Sequence, residues 1–320
     1  MLHNLTLRLK WVAFWLADLT AVLEFLLHRK QPRSGLTVLC YHRIAENLPV
    51  TAPFDPFNVT PATFSWQMAS LRSLHDVTVV SAKWLADWIR KGGIPTGSYL
   101  MFTFDDGYHN SLEAAVRLHR EGWPGIFFVT TGYIGKPVFD FNPFDVWCKA
   151  QHLSDSTWYA PLTLADCRKL LDLQMEVQPH GHLHRPLGRL QTKETHEEIQ
   201  ESKNVIQIML GCEAIAFSYP YGSSRANHFN RSVEECLSNM GFRFAVSTDA
   251  GRNELTSIET KAFRLRRVPV HEHDKGLFFQ AKAAGYAGAL PVLKALAYTV
   301  GVWTRVPPRE QPARLTSATK

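Results

Sequence analysis

The sequence predicts an α/β fold, a parallel sheet or barrel with helices packed outside it. Three observations carry that expectation. Short apolar, β-branched runs alternate with helical periodicities through the middle of the 320-residue chain. The helical segments begin and end on capping residues. A hydrophobic content of 45% with 20% charged residues is enough for a full core, which excludes disorder, collagen-like repeats and disulfide miniproteins.

In chain order, residues 36–41 form the first apolar run, 98–104 the second and 125–130 the third, with 213–218 and 242–247 continuing the series. Between them lie helical patterns over 61–73, 82–91, 111–121, 164–173 and 193–210. Thr60-Pro61 and Thr163 mark helix starts, Gly122 and Gly211 helix stops. No repeat or low-complexity tract is visible. In this architecture function gathers where strands end at their C-terminal side.

Charge divides the chain into three. Residues 1–34 and 276–320 are basic and together carry +8, so the net +6 leaves residues 35–275 at −2. We therefore expect an apolar, basic N-terminal helix in 1–34, one catalytic domain in 35–275 and an apolar, basic extension in 276–320. The run from Trp11 to Leu27 is interrupted only by Asp18, Thr20 and Glu24, with Arg8 and Lys10 before it and Arg29, Lys30 and Arg33 after it. It is short for a bilayer span and too acidic for a signal peptide, but it suits a helix lying against anionic headgroups, or alternatively a core helix. From Gly285 to Trp303 a second apolar stretch carries Pro291, which argues against a straight spanning helix. Basic residues are not interleaved with aromatics along the body of the chain, so nucleic acid is not expected as a partner. The five cysteines are odd in number and never spaced C-x-x-C, which argues against a disulfide framework and a cysteine zinc site, and favours a cytoplasmic over an exported location.

The polar residues at the strand ends are unusual for packing. The run 98–104 ends in Asp105-Asp106-Gly107-Tyr108, and adjacent carboxylates repel unless a cation or a proton relieves them. An ordinary Asp-Gly turn is the bland alternative. Pro179-His180-Gly181-His182-Leu183-His184 offers imidazoles four apart. Two imidazoles and a carboxylate are the ligand set of a catalytic divalent ion, leaving the second aspartate as a base. His182 can replace either neighbour at this level of reading. Phe217-Ser218-Tyr219-Pro220-Tyr221-Gly222 adds a fixed turn capable of aiming an N–H at an oxyanion.

Taken in order, these blocks resemble the polysaccharide deacetylases of the NodB type. The resemblance runs through V-L-C-Y-H-R-I at 38–44, F-T-F-D-D-G-Y at 102–108, F-F-V-T-T-G-Y-I-G at 127–135, H-G-H-L-H-R-P-L at 180–187, E-S-K at 201–203, F-S-Y-P-Y-G at 217–222, G-F-R-F-A-V at 241–246 and R-V-P-V at 267–270. It implies an irregular, incomplete (β/α) barrel that hydrolyses N-acetyl groups of amino sugars with a divalent metal, zinc first, with Co2+, Ni2+, Fe2+ and Mn2+ as alternatives. Carried over by position, it implies Asp106, His180 and His184 as metal ligands, Asp105 as base, His42 as proton donor and the Tyr221 backbone N–H as oxyanion donor.

Two departures stand out. Gly181 replaces the usual hydroxyl residue after the first metal histidine, and Ser218 stands where many members have an arginine that orients the base, which leaves Arg267 for that role. Blocks typical of the peptidoglycan and chitin branch are not recognisable, which points to the branch acting on exopolysaccharide or lipid-linked amino sugars, and the basic, apolar termini lead us to expect that N-acetylated glycan at an anionic membrane surface. An aromatic insertion (Phe139, Phe141, Phe144, Trp147, Trp158, Tyr159) reads equally as a sugar platform or a private core. His271, His273 and Asp274 read as a solvated strand exit. The competing functions are a hydrolase of small cyclic amides on the same fold and a carbohydrate-binding pseudoenzyme, the latter disfavoured because Asp105, Asp106, His180 and His184 are all retained.

Overall fold

A computed structural model of the chain describes residues 15–16, 18–46, 57–92, 96–151 and 158–288. Ten strands are found among them: β1 (Gly35–Tyr41), β2 (Arg43–Ile44), β3 (Asn58–Val59), β4 (Val77–Val79), β5 (Ser98–Phe104), β6 (Ile126–Val129), β7 (Glu176–Pro179), β8 (Ala216–Ser218), β9 (Phe244–Ala250) and β10 (Leu265–Pro269). All pairings between them are parallel, in the order β7-β6-β5-β1-β10-β9-β8, while β2 and β3 form a separate pair. The lower half of β5 pairs with β4 through Ser98–Leu100, and its upper half pairs with β6 through Thr103 and Phe104. That branch makes the barrel irregular.

Closure between β7 and β8 uses a side chain instead of a ladder. Gln178 donates to the Glu213 carbonyl at 3.0 Å and accepts from the Ile215 and Ala216 N–H groups at 2.9 Å each. The sheet is thus a nearly closed barrel, and one amide from β7 satisfies backbone groups at and just before the edge of β8.

The two-residue period of the strands separates two cores. Leu36, Val38, Met101, Ile126, Phe128, Ala216, Phe244, Val246 and Leu265 pack together inside the barrel. The next positions along the same alternation are Cys40, Thr103, Asp105, Ser218 and Arg267, so the barrel filling changes from apolar to polar toward the strand C-termini. Leu39, Tyr41, Phe102, Phe104 and Phe127 face outward, into the larger core beneath the helices.

The helices are α1 (residues 18–27), α2 (Pro61–Leu71), α3 (Ala82–Lys91), α4 (Leu112–Glu121), α5 (Pro143–Ala150), α6 (Leu164–Asp172), α7 (Thr192–Asn204), α8 (Arg231–Asn239) and α9 (Leu277–Ala283). Thr60 caps α2, Ser81 caps α3 and Thr163 closes a capping box on α6, each side chain accepting from the first turn. None of the helices among the described residues is long and apolar enough to cross a membrane.

Ala21, Val22 and Phe25 of α1 and Phe279, Ala281 and Ala283 of α9 enter the same core as the barrel shell. A buried charge network holds the two ends there. Lys282 Nζ donates to Asp18 Oδ2 at 2.9 Å and Asp274 Oδ2 at 2.8 Å, and His273 Nε2 lies 2.7 Å from Asp18 Oδ2. Asp274 also accepts from the His271 N–H at 2.7 Å. This corrects the reading of His271, His273 and Asp274 as a solvated strand exit: Asp274 is fully buried and His271 nearly so. Of the second apolar stretch, everything beyond residue 288 lies outside the described residues, as do residues 1–14.

Candidate active site

Every strand that contributes to the site does so at or near its C-terminal end. His42 follows β1, Asp105 and Asp106 follow β5, His180 follows β7, and Ser218 closes β8. Arg267 lies within β10, its side chain inside the barrel. Residues distant in sequence therefore meet in one polar layer.

Asp106, His180 and His184 come together with all three side chains buried. Asp106 Oδ1 is 3.4 Å from His180 Nε2 and 3.3 Å from His184 Nε2. Donors about 2.0–2.1 Å from one tetrahedral zinc ion stand roughly 3.3–3.4 Å apart, so this spacing fits a shared divalent ion. His180 Nδ1 lies 2.8 Å from the Ser218 carbonyl, a contact that places a proton on Nδ1 and turns Nε2 toward Asp106. Burial opposes the charge on Asp106, but hydrogen bonds from His180 and His184 outweigh it and hold the carboxyl well below the usual range. Burial, reinforced by His180, lowers the pKa of His184 and favours the neutral imidazole that a metal requires.

Asp105 is held differently. Arg267 grips it through two parallel hydrogen bonds, Nη1 to Oδ1 at 2.7 Å and Nη2 to Oδ2 at 2.6 Å. Ser218 Oγ donates to the same carboxylate at 3.2 Å, and Thr103 Oγ1 accepts from Arg267 at 3.2 Å. Burial pushes the Asp105 carboxyl up, yet Arg267 outweighs it with help from His180 and His42, so the group is ionised below the usual range. A gripped carboxylate still has lone pairs for a water molecule.

His42 is half-buried beside this pair. Its ligand atom lies within 4.8 Å of those of Cys40 and Asp105, and its ring meets Phe57 at 4.7 Å between centroids. The Tyr221 ring stands edge-on to His184 at 4.6 Å. Asp106, His184 and Tyr221 all have left-handed backbone, with φ of 71°, 55° and 61°. Such residues cost on the order of 1–3 kcal/mol each and persist where the surroundings over-determine them.

Position 181 explains its own glycine. With φ at +74°, a Cβ there would stand 3.2 Å from Pro220 Cγ and 3.3 Å from Glu198 Oε1. The loop is secured without a hydroxyl at 181: Glu198 accepts from the Leu183 N–H, Thr131 N–H donates to the Gly181 carbonyl at 3.2 Å and Gly132 N–H to the His182 carbonyl at 2.8 Å. His182 Nδ1 lies 3.1 Å from Thr131 Oγ1 and takes no part in the Asp106 group. Sequence reading missed Glu198 and Thr131, because neither type nor spacing marks a residue that ties down a loop.

The aromatic insertion divides between core and site. Phe139 and Tyr159 are buried, whereas Phe141 is half-buried and stacks on His184. The insertion is pinned by Arg43, whose Nη2 donates to Asp145 Oδ1 at 2.6 Å and to the Tyr108 hydroxyl at 2.7 Å.

Residues 92–245 match the sequence model of a family described as polysaccharide deacetylase. That span holds Asp105, Asp106, His180, His184 and Tyr221, but neither His42 nor Arg267. Nothing matches among curated protein sequences. Solved structures that share the fold include the following three. IcaB from Ammonifex degensii is 20% identical with a TM-score of 0.61, covering 80% of this chain and 98% of its own. The deacetylase PplD of Streptococcus pyogenes, in complex with acetate, is 19% identical with a TM-score of 0.60, covering 76% and 95%. A de-N-acetylase from Aggregatibacter actinomycetemcomitans is 14% identical with a TM-score of 0.59, covering 78% and 100%.

Proposed function

From a chain whose residues 92–245 belong to the polysaccharide deacetylase family, we propose that this protein hydrolyses the N-acetyl group of an amino sugar with a divalent metal ion held by Asp106, His180 and His184. The observation that carries the reading is the convergence of those three side chains beside a separately clamped carboxylate, Asp105. Zinc is the first choice of ion for two imidazoles and one carboxylate.

An acetamide is a poor electrophile with a poor leaving group. An ion held by Asp106, His180 and His184 would polarise the carbonyl and lower the pKa of a water molecule toward about 7. Asp105 takes the proton from the attacking water, and Arg267 with Ser218 keeps its carboxylate ionised and aimed. The Tyr221 backbone N–H, on a turn fixed by Pro220 and Gly222, donates to the oxygen that becomes anionic. His42 delivers a proton to the departing amine, from a position close enough to Asp105 for the two to act on one substrate.

The substrate in this reading is an amino sugar on a lipid carrier at an anionic membrane, with the cytoplasmic face favoured. Leu23, Leu26 and Leu27 are exposed on the side of α1 turned away from the barrel, followed by exposed Arg29 and Lys30. An apolar stripe ending in cations is the pattern of a helix lying in a headgroup layer.

Metal analysis of the purified protein, coupled to amine release from N-acetylhexosamine substrates, tests the catalytic part. Asp106→Ala and His184→Ala should each lose the metal, because an underfilled site retains it poorly. Asp105→Asn should keep the metal and lose turnover, and His182→Ala should keep both. Stoichiometric metal in Asp106→Ala, or an empty site in Asp105→Asn, would overturn the assignment.

A further inference from the structure

The two histidines of the proposed metal site are held by different means. His180 has the usual arrangement, with Nδ1 2.8 Å from the Ser218 carbonyl. His184 Nδ1 is buried and has no hydrogen-bond partner among the described residues. Its ring instead lies against Phe141, with centroids 3.9 Å apart and planes 12° apart, while Tyr221 closes the edge at 4.6 Å.

We propose that Phe141 is the positioning residue for His184: its ring fixes the imidazole plane, so that Nε2 points at the metal, in place of the missing hydrogen bond. The proposal rests on His184 being a metal ligand, as argued above. Flat stacking suits this task because it restrains the ring's tilt, which is the freedom a carbonyl or carboxylate acceptor would otherwise remove.

Phe141 can act as a wall only if it is itself fixed, and it is. Tyr133 meets it edge-on at 5.2 Å and 89°, and buried Phe139 stands at 5.2 Å on another side. The Tyr133 hydroxyl donates to Asp140 next in sequence to Phe141. Farther along the insertion, the buried Arg43–Asp145 pair and Asn142 Nδ2, which donates to the Tyr108 hydroxyl at 2.9 Å, tie the segment to the loop that carries Asp106. One insertion thus supports both the carboxylate loop and the second imidazole.

The competing role for a half-buried aromatic at this mouth is a sugar platform, and metal affinity separates the two. Zinc dissociation constants, measured by competition with a chromophoric chelator on the full chain, should weaken about 10–100-fold in Phe141→Ala, the usual cost of losing an outer support of a metal ligand. Phe141→Trp and Phe141→Tyr, which keep a flat ring, should restore most of that affinity. Phe141→Leu, which keeps the apolar volume but not the flat face and guards against a simple folding defect, should behave like alanine. In the cobalt-substituted protein, the visible d–d bands should change in the alanine and leucine variants only. At saturating zinc, KM for an N-acetylhexosamine substrate should stay within about twofold of the parent. Unchanged zinc affinity with a raised KM would make Phe141 a sugar platform and overturn the proposal. Unchanged zinc affinity in Phe141→Ala together with loss in His184→Ala would overturn the positioning role alone. Unchanged affinity in both would remove His184 from the ligand set and the proposal with it.

Discussion

Arg267 and Asp105 form a bidentate pair, at 2.7 and 2.6 Å, in which neither side chain is more than 2% exposed. Ser218 contributes only a hydroxyl to it. The guanidinium arrives from β10 instead, two strands from β5 across β1. Removing one partner of a buried ion pair leaves an uncompensated charge, at a cost of about 3–5 kcal/mol. Arg267→Met should therefore lower stability by that amount in urea denaturation, and adding Asp105→Asn should recover most of it. An Arg267→Met protein within about 1 kcal/mol of the parent would show that the pair is not buried as described.

His42 is expected to matter for leaving groups that need a proton. His42→Ala should slow acetamide hydrolysis by roughly 10²–10⁴, the range for loss of a general acid. An activated acetyl ester, whose leaving group departs as a stable anion, should be affected far less. Equal losses on both substrates, read as kcat/KM, would assign His42 a structural role beside Phe57.

His228, whose ring meets Tyr221 at 5.4 Å beside the metal group, supplies a further pH dependence. It is buried, and its Nδ1 accepts from the Ser223 N–H at 3.2 Å, which requires the neutral ring. Burial, together with Arg189, pushes its pKa down from 6.5 to about 4. The unfolded chain therefore binds more protons than the folded one between those values, and stability falls as pH falls through that window. The expected loss from this residue between pH 7 and pH 5 is about 2 kcal/mol. His228→Asn keeps an acceptor oxygen but cannot be protonated, so its unfolding free energy should lose about that much less over the same interval. Parallel pH profiles for the two proteins would count against it.

Legibility from sequence followed locality. The limits of β5 and α3 coincide with those expected because each is a sharply bounded periodic run. Strand β7 was not visible in Glu-Val-Gln-Pro, since a four-residue strand with a glutamine facing β8 carries no hydrophobic signal. Helix α9 was unmarked within the apolar, basic C-terminal extension, and its one lysine, Lys282, is buried between Asp18 and Asp274. Asp106, His180 and His184 were legible because each lies in a short block whose residue types already suggest ligation. Arg267 and Asp105 are 162 residues apart, so only resemblance to a family connected them in advance. Phe141 was visible as an aromatic, but its partner was not, because only the folded insertion brings it to His184.

Membrane docking is best tested on α1 by surface substitution, because the terminal segments also build the core. Deleting residues 1–34 would remove Phe25 and Asp18 from the interior, and deleting the C-terminal extension would remove Phe279 and Lys282, so a truncated chain would report on folding first. Leu23, Leu26 and Leu27 are 52%, 42% and 81% exposed, and polar replacements there should leave stability within about 0.5 kcal/mol. Bilayer contact would bury those leucines at about 0.8 kcal/mol per CH₂, while Arg29, Lys30 and Arg33 add about 1 kcal/mol each against anionic headgroups. Only the second contribution is screened by salt. The full chain is therefore expected to float with phosphatidylserine-containing liposomes, to float less in high salt without being fully released, and to bind more than about tenfold more weakly when all three leucines become glutamine. Equal flotation of the glutamine variant, or no flotation of the parent, would remove α1 as a membrane contact and leave the deacetylase reading intact.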